Sequence, residues 1–582
     1  MENASSNTWT ALRNSVFRRF WLATVISGSC VAAQNTAVYW ALHALGATTV
    51  LISLMATVSA LPGALFTLPA GAIADIVDRK KILLAVQIWQ AFIVFGLAIL
   101  WAAHLLNPYL ILASTFLFSA GFAFSSPASS AAIAEMVTSE ELAPAFTLGG
   151  LQMDVSGIIG PLLGGLLIPL IGVSFIFGAS GVGFLFLFLA ILRWKRVQPP
   201  SGLPLETFFE SLTTAIRYVR YTTGIKVLLI RHALFSFFIS IIPSLFPVMA
   251  LQEFGPQASS LGYIFTAMAI ASVLSGVLII PWARAKYPPQ RITTGASVLL
   301  NLLLVLGGIS TWTRYDFGGI PAKLCPSTPG LPPFLMFAVL AGAGWTVQAS
   351  ELWVASQRAM PDWARGRMNA TTIMVAQGAT ALGGAVWGLA AHSFGIVPTF
   401  LGAAGFSLLL NVLVRVVPAL CVSIDFTKKL TFEPARVAIF PQNLIPSRLP
   451  APQDGPVSIT AEFRVHPARR SECIGLMREA RQIFLRNGAY RWQLYEDLRQ
   501  PNKFHMEVVV PSWKQHLLQS ERLTKNEKGV IDKLRGLRLD PNPPEEWIFL
   551  SADREVLKKN VRAYPSDELP VDQVGTDTIK GG

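Results

Sequence analysis

Long apolar segments, each about the length needed to cross a bilayer, alternate with short polar segments along most of the chain. A helix of about 20 apolar residues spans the hydrocarbon core of a membrane. Windows of this kind predict two groups of six spans, which amounts to an all-α membrane bundle of twelve transmembrane helices in two six-helix halves. The predicted spans are 20–42, 49–74, 82–104, 109–134, 144–169, 173–193, 227–251, 259–283, 292–312, 333–357, 369–391 and 397–421.

The pattern changes beyond the last apolar window. Prolines crowd a predicted linker, and alternating apolar residues around two helical periods then predict the order β-α-β-β-α-β, an α+β ferredoxin-like soluble domain. We expect a disordered tail to follow. The predicted regions are an N-terminal half (1–193), a joining stretch with an amphipathic helix (194–226), a C-terminal half (227–421), a Pro-rich linker (422–456), the ferredoxin-like cytoplasmic domain (457–551) and the tail (552–582).

Composition supports a multi-span membrane protein, because 52% of the 582 residues are hydrophobic and only 14% are charged. The net charge of +13 lies in clusters at the ends of apolar segments instead of forming one basic face, which argues against nucleic-acid binding. These clusters recur on one side of the predicted bundle, so we expect both termini in the cytoplasm. The four cysteines lie far apart and predict neither a disulfide framework nor a metal site.

The two halves resemble each other. Residues 135–165 and 358–388 each place a short charged turn before a span and then crowd glycines near its middle, at a common offset of 223 residues. Such repeats are typical of secondary transporters, whose substrate site lies between the halves near the membrane midplane. Glu135 and Arg358 occupy equivalent ends of spans four and ten, and we expect them to form salt bridges on the inner side.

Ionisable residues inside spans are costly and therefore indicate function. Asp154 in span five is the first candidate for proton or substrate coupling. Glu351 in span ten is the second, and Gln348 and Trp345 precede it by three and six residues on one broad face. Interhelical hydrogen bonds, worth about 0.6–2 kcal/mol, are the alternative role for amides in spans. Two further candidates for a polar pathway lie in span one: Gln34 and Asn35.

The stretch 69–81 joins spans two and three and packs its charges densely. It resembles the signature loop of the major facilitator superfamily, although positions 76 and 78 depart from the pattern. The resemblance implies that the glycine lets span two pack closely on a helix of the other half, and that the acid faces the N-terminus of that helix, where the helix dipole favours a carboxylate. The matching residues are Gly71, Asp75, Arg79 and Lys80.

Span five carries a second motif, similar to the core of the antiporter signature of drug-exporting members of that superfamily. Small residues let helices approach, and a proline inside a helix bends it. The resemblance favours export, while close packing of any two membrane helices is the alternative explanation. The motif residues are Gly160, Pro161, Gly164 and Gly165.

Residues 488–497 and 511–517 resemble the C-terminal extension of the enterobactin-exporter-like (transmembrane secretion effector) branch of the superfamily. That extension itself resembles antibiotic-biosynthesis monooxygenase domains. With this stretch the resemblance covers nearly the whole chain, and it implies a carrier in the bacterial cytoplasmic (inner) membrane that needs no cofactor. Ferredoxin-like domains commonly pair, so we expect the extension to be a self-associating or a regulatory module.

These patterns together predict a secondary active transporter that exports a small amphipathic organic molecule, siderophore- or drug-like, by alternating access and in exchange for protons. No phosphate-binding loop of the Gly-x-x-x-x-Gly-Lys type is present in the sequence, which argues against a self-contained ATP-driven pump. Two alternatives stay open at this point: a membrane-anchored monooxygenase-like enzyme and a non-transporting membrane sensor or scaffold.

Overall fold

The structure is a computed structural model of the chain, and it describes residues 8–138, 140–196, 208–253, 258–315, 331–360, 362–416, 450–539 and 545–551. The chain divides into two compact units, residues 1–430 and 431–582. The predicted tail, most of the Pro-rich linker and the first part of the joining stretch lie outside the described residues.

The first half of the larger unit begins with a 3₁₀ turn, Thr8–Arg13, followed by six long helices. Polar side chains start several of them: Asn14 accepts hydrogen bonds from the backbone N–H groups of Val16 and Phe17, and Asp78 accepts one from that of Lys80. Such caps satisfy donors that have no partner inside a helix. The helices are α1 (Ser15–Ala44), α2 (Thr49–Ile76), α3 (Arg79–Ala102), α4 (Pro108–Met136), α5 (Leu142–Ile171) and α6 (Val173–Leu192).

The second half contains more helical elements because two of its membrane helices are interrupted. One is divided at Ser240, and a π-helical turn, Ser275–Ile279, interrupts the other. The elements are α7 (Phe208–Tyr221), α8 (Thr223–Ile239), α9 (Ile241–Glu253), α10 (Ala258–Leu274), α11 (Ile280–Lys286), α12 (Pro289–Tyr315), α13 (Leu331–Arg358), α14 (Asp362–Phe394) and α15 (Ile396–Val416).

Within the described residues, nine helices are long and apolar enough to cross a membrane, and Ile396–Leu410 forms a shorter apolar helix. The prediction of a mostly helical, multi-span bundle is therefore confirmed. Helix α7 lies in the joining stretch, where an amphipathic helix was predicted. Ala215 and Tyr218 are buried, with Tyr218 packed against Ile225 and Leu228 of α8, whereas Ile216 is 59% exposed.

The halves meet along two helix pairs, α2 with α14 and α5 with α10. Each pair is antiparallel, since early residues of one helix contact late residues of the other. We call the end of the bundle where α2 stops and α3 starts the basic end, because Arg79, Arg196 and Arg284 lie there. The opposite end is called the far end.

The smaller unit contains a four-stranded antiparallel sheet in the order β2-β3-β1-β4. Alternate residues of the central strand, from Val457 to Phe463, are buried with Met477 and Ile483 from the first helix, as period-2 and helical patterns predict. The elements are β1 (Val457–Arg464), α16 (Arg470–Asn487), β2 (Arg491–Glu496), β3 (Lys503–Val510), α17 (Trp513–Arg522), α18 (Lys525–Gly536) and β4 (Glu545–Leu550).

Candidate functional site: the cleft between the halves and its ion pairs

The glycine motif of α5 forms close helix contacts toward the far end. A methyl group at Gly164 would lie 2.9 Å from the carbonyl oxygen of Ala33, and Gly160 meets α1 equally closely. Gly165 contacts the other half instead, since a methyl group there would lie 2.7 Å from the Cα of Gly262. The motif therefore places α5 against α1 and against α10 at the same level, which agrees with the general use of small residues between membrane helices.

The second contact between the halves is also closest toward the far end. Thr57 of α2 donates a hydrogen bond of 2.8 Å to the carbonyl oxygen of Ala381 in α14. Tyr39 of α1 donates one of 3.2 Å to the carbonyl oxygen of Pro243 in α9. These bonds and the Gly165–Gly262 contact join the two halves at the far end.

Toward the basic end the contact between α5 and α10 is looser, since a methyl group at Gly157 would lie 3.8 Å from the Cβ of Ala269. A methyl group at Gly71, Gly149, Gly150 or Gly276 would have no neighbour within 4 Å. The close packing of Gly71 against the other half, implied by the signature loop, stays a prediction. Asp75 lies in the last turn of α2, and its side chain lies outside the described part of the chain.

Asp154 lies on the face of α5 where the two halves separate. Gly157, Ile158 and Pro161, one and two turns further along, contact α10, and a spacing of three to four residues places Asp154 on the same face. The Asp154 side chain itself is exposed. The carboxylate therefore sits where the gap between α5 and α10 opens.

The two amides of span one differ in their surroundings. Gln34 is only 3% exposed, and its Oε1 atom has no hydrogen-bond partner among the described residues. Asn35 is exposed and precedes Tyr39 by one turn, so it shares the face of α1 that meets the second half. Asn35 is thus placed to line the cleft, whereas Gln34 lies inside the first half.

An ion-pair network closes the basic end of the first half. Glu135 accepts hydrogen bonds from Arg79 at 2.6 Å and from Arg196 at 2.7 Å, and Arg196 also contacts Asp78 at 2.9 Å. Lys80 donates to the carbonyl oxygens of Leu192 and Trp194 at 2.9 and 2.7 Å. Arg79 and Lys80, two predicted residues of the signature loop, therefore tie α3 to α4 and to the end of α6.

The second half contains one corresponding pair. The Nε of Arg284, in α11, lies 2.7 Å from a carboxylate oxygen of Glu351 in α13, whose side chain is 3% exposed. We predicted instead that Arg358 forms an inner salt bridge. Arg358 is exposed and has no ion-pair partner among the described residues, because it is the last residue of α13 and lies two helical turns beyond Glu351.

Arg196 and Arg284 were not singled out as site residues from the sequence. Both lie in basic clusters that the sequence explains by membrane orientation alone. The available signal was the order of the spans, since in each half a base near the junction of the second and third spans pairs with an acid on the fourth. Arg79 pairs with Glu135 in the first half, and Arg284 pairs with Glu351 in the second.

The remaining candidates on α13 lie inside the second half. Gln348 is 8% exposed and borders a cavity with Glu351, and its Oε1 atom has no partner among the described residues. Trp345 is half-buried and packs against the main apolar cluster of this half. These residues are thus separated from Asp154 and Asn35, which face the cleft. No group of three or more potential metal ligands occurs in the described ranges.

Two helical halves that meet at one end, diverge at the other and carry acids along the opening define a multi-pass membrane transporter. Solved transporters share this fold. A POT family transporter in complex with 5-aminolevulinic acid matches at 15% identity with a TM-score of 0.54, covering 69% of this chain and 95% of that one. A bacterial homologue of the iron transporter ferroportin in an inward-facing state matches at 15% identity with a TM-score of 0.52, over 68% of this chain and 98% of that one.

Sequence comparison identifies the family to which this transporter belongs. The family described as transmembrane secretion effector matches residues 6–556, and the chain belongs to this family. The enterobactin exporter EntS of Shigella boydii serotype 4 is 26% identical over 383 residues, which is 64% of this chain and 84% of the relative. The EntS of Escherichia coli O1:K1 is 26% identical over 384 residues, with the same coverage. The protein is thus a membrane exporter of small molecules and not an enzyme.

Proposed function

We propose that the protein is a twelve-span secondary carrier that exports a small amphipathic organic molecule, siderophore- or drug-like, by alternating access in exchange for protons. The observation that carries the proposal is that the contact between α5 and α10 loosens along its length: a methyl group at Gly165 would lie 2.7 Å from the Cα of Gly262, and one at Gly157 would lie 3.8 Å from the Cβ of Ala269. Alternating access requires that closure can move from one end of the bundle to the other. The relatives named as enterobactin exporters support a siderophore-like substrate.

In this proposal α12, α13 and α15 are spans, which together with α8–α9, α10–α11 and α14 make six in the second half. The basic end then faces the cytoplasm, because basic loops are retained on that side. Both termini are cytoplasmic, and the structure corresponds to a carrier open to the cytoplasm. A protease site placed after residue 582, cleaved only in inside-out vesicles, tests this orientation.

Asp154 is the proposed coupling residue. Its carboxylate lies on the face of α5 that contacts α10 further along, so closing the basic end would transfer it from an open cleft to a helix interface. An ionised carboxylate is costly in such a buried place, and a protonated one is much less so. Closure is therefore linked to proton uptake at this position.

The test uses inside-out vesicles that contain the full-length chain, with enterobactin as the first substrate probe. Uptake that collapses on addition of an uncoupler supports antiport, and uptake that is independent of the proton gradient refutes it. Asp154→Asn is expected to abolish the coupling. Met153→Leu is the matched control, because Met153 is the neighbouring side chain and is 73% exposed. Antiport at the wild-type rate in Asp154→Asn would refute the assignment.

Asp75 is proposed to act as part of the inner gate, near the first turn of α14. Replacement by Asn keeps the size of the side chain and removes the charge that a helix N-terminus favours, an interaction of about 0.3–1 kcal/mol. We expect Asp75→Asn to slow transport without changing the topology. An unaltered transport rate would contradict this role.

The C-terminal unit is proposed to be a ferredoxin-like domain that pairs with a second copy of itself. Its strand order β2-β3-β1-β4 supports this arrangement. The sheet face opposite Val457 and Phe463 exposes Tyr495, Trp547 and Phe549, which a second sheet would cover. Phe549→Glu is expected to reduce the dimer fraction measured by light scattering, and an unchanged mass would refute the pairing.

A further inference from the structure

A polar cluster is buried between two helices of the C-terminal unit. The chain leaves α16 at Gly488, which has a φ of 133°. A methyl group there would lie 3.2 Å from the Oε1 of Gln515, 3.6 Å from the Nη1 of Arg522 and 3.8 Å from the Cγ of Gln519. These three side chains follow one another at spacings of four and three residues, so one face of α17 meets the end of α16.

This buried face of α17 is polar. Gln519 and Arg522 are 1% and 4% exposed, whereas Leu517 on the same helix is 47% exposed. A helix that packs on a protein core normally buries its apolar side chains and exposes its polar ones. The pattern is reversed on this part of α17, so burial of apolar surface does not explain why the helix covers the end of α16.

Two carboxamides of the cluster have no hydrogen-bond partner in the part of the chain that the structure describes. They belong to Asn487, the last residue of α16, and to Gln519, and in each both the oxygen and the nitrogen atom are without a partner. Asn487, like Gln519, is 1% exposed. Buried polar groups are normally hydrogen-bonded, to the protein or to a bound molecule. Two donors and two acceptors are therefore available here to a ligand.

Arg522 adds a positive charge to these groups. Its Nη1 donates hydrogen bonds to the carbonyl oxygen of Asn487 at 3.2 Å and to the Oε1 of Gln515 at 3.1 Å. The four residues of the cluster, Asn487, Gln515, Gln519 and Arg522, thus contain one cation and no carboxylate. The guanidinium and the two amide N–H groups favour a ligand with a carboxylate.

The free amide oxygens of Asn487 and Gln519 make a second demand, because they can only accept hydrogen bonds. A simple carboxylate has no donor to offer them. An ammonium group would place a second positive charge beside Arg522, so a hydroxyl is the better donor. A small hydroxycarboxylate meets both demands.

The connections of α17 allow a ligand to enter. At its start, Trp513 and Lys514 donate backbone hydrogen bonds of 2.7 and 2.8 Å to the carbonyl oxygens of Asp454 and Pro452. At its end, Leu523 has an extended backbone and separates α17 from α18. The end that carries Gln519 and Arg522 can therefore move away from α16 while the start stays in place, since hinges of this kind lie at the ends of elements.

Helix α18 does not need to follow this movement. An ion pair between Arg486 and Glu527 connects it to α16, and a capping box formed by Thr524 and Glu527 begins it. Opening of α17 at Leu523 therefore exposes the cluster without unfolding the rest of the unit.

We propose that the C-terminal unit holds a binding site for a small hydroxycarboxylate, between the end of α16 and the polar face of α17. The ligand carboxylate accepts hydrogen bonds from Arg522 and from the amide nitrogens of Asn487 and Gln519. Its hydroxyl donates to one of the two amide oxygens. Helix α17 then covers the ligand. The site does not depend on the proposed export mechanism, and binding makes and breaks no covalent bond.

Hydrogen exchange of the full-length protein in lipid nanodiscs, measured by mass spectrometry on peptides that cover α17, tests the site. Three probes differ by one group each: L-lactate has a carboxylate and a hydroxyl, propionate lacks the hydroxyl, and lactamide has a neutral amide in place of the carboxylate. A ligand that binds only the closed form slows exchange by a factor of 1 + [L]/Kd, so about 10 mM lactate with a Kd of about 1 mM slows it about tenfold. Peptides from α3 in the membrane unit serve as the internal reference.

We expect propionate and lactamide to slow the exchange of α17 less than about twofold at the same concentration, since each leaves one demand of the site unmet. Equal slowing by lactamide would overturn the role of Arg522, and equal slowing by propionate would overturn the role of the amide oxygens. If lactate does not slow the exchange, the cluster binds no hydroxycarboxylate and the proposal is wrong.

Gln519→Met locates the effect, because methionine has a similar length and no amide. Replacing an unpaired buried polar group by an apolar one is nearly neutral or stabilising, so this variant is expected to fold and to exchange α17 no faster than the wild type without a probe. The slowing by lactate is expected to be lost. Leu517→Met, on the exposed side of the same helix, is the matched control and should keep it. Slowing that persists in Gln519→Met, or that disappears in both variants, would overturn the proposal.

Discussion

The two halves of the bundle hold an acid at the same end in different ways. In the first half Glu135 is 10% exposed and contacts two arginines, Arg79 and Arg196, the latter also held by Asp78. In the second half Glu351 is 3% exposed and contacts Arg284 alone among the residues that the structure describes. The first arrangement keeps its charge balance when one contact breaks, whereas the second does not.

This difference shows how a structural repeat can acquire two roles. A buried ion pair contributes little net stability, but removal of one partner is costly because the other charge stays buried. The network around Glu135 is therefore suited to holding α3, α4 and the end of α6 together. When the single pair at Glu351 breaks, a buried carboxylate is left without its partner.

The largest expected effect comes from removing Arg284. Arg284→Ala leaves Glu351 buried without its partner, so at neutral pH we expect a loss of about 3 kcal/mol in the free energy of unfolding, at the lower end of the range for such pairs. Thermal unfolding of the purified protein, followed by tryptophan fluorescence, measures the loss. Adding Glu351→Gln to this variant is expected to restore most of the stability. A double variant as unstable as Arg284→Ala would show that the guanidinium acts through packing instead.

The next largest effect concerns the contact between the two halves at Gly165 and Gly262. Gly165→Ala places a methyl group 2.7 Å from the Cα of Gly262, so we expect a loss of about 1–3 kcal/mol from overpacking. Gly71→Ala is the matched control, because a methyl group there meets nothing within 4 Å. Equal melting temperatures of the two variants would mean that the halves are not held together at the far end.

Removing one arginine of the first-half network is expected to cost less than Arg284→Ala. Arg79→Ala leaves Arg196 on Glu135, so the expected loss is about 1 kcal/mol, in the range of a charged hydrogen bond that is partly exposed. Arg196→Ala should cost more than Arg79→Ala, because Arg196 contacts Glu135 and Asp78. Unfolding temperatures of the two variants and of the double variant test this order. If Arg79→Ala lowered the free energy of unfolding as much as Arg284→Ala does, the two halves would not differ in how they hold their acid.

The smallest effect lies in the C-terminal unit, and it is a dependence of stability on pH. Burial lowers the pKa of His516 below its ordinary value of 6.5. Below pH 6.5 the unfolded chain therefore binds a proton at this position that the folded chain does not bind. The contribution of His516 to the free energy of unfolding is complete above pH 6.5 and falls as the pH drops below it, by less than about 1.4 kcal/mol per pH unit. Urea unfolding of this unit in the full-length protein at several pH values measures the slope. His516→Phe, which keeps a ring against Trp513, is expected to flatten it, and an unchanged slope would assign the effect elsewhere.

The amino-acid sequence by itself determined which segments are helices and strands. Apolar windows marked the membrane helices, and the alternation around Val457–Arg464 marked a strand, since both patterns depend on neighbours within one or two turns. The glycines of α5 were also recognisable, because only small residues fit a close helix contact. The two family resemblances, which pointed to an exporter, could also be recognised from the sequence, because each rests on a short run of neighbouring residues.

Only the tertiary structure decided which of these residues meet. It paired Glu351 with Arg284, 67 positions apart, and left Arg358 exposed. It turned α7 so that Tyr218 is buried and Ile216 is not, and it closed Gly165 on Gly262. Contacts of this kind depend on the rotation and tilt of whole helices. Local periodicity determines which face of a helix is apolar, but the partner of a charged side chain is chosen by packing between segments that are distant in sequence.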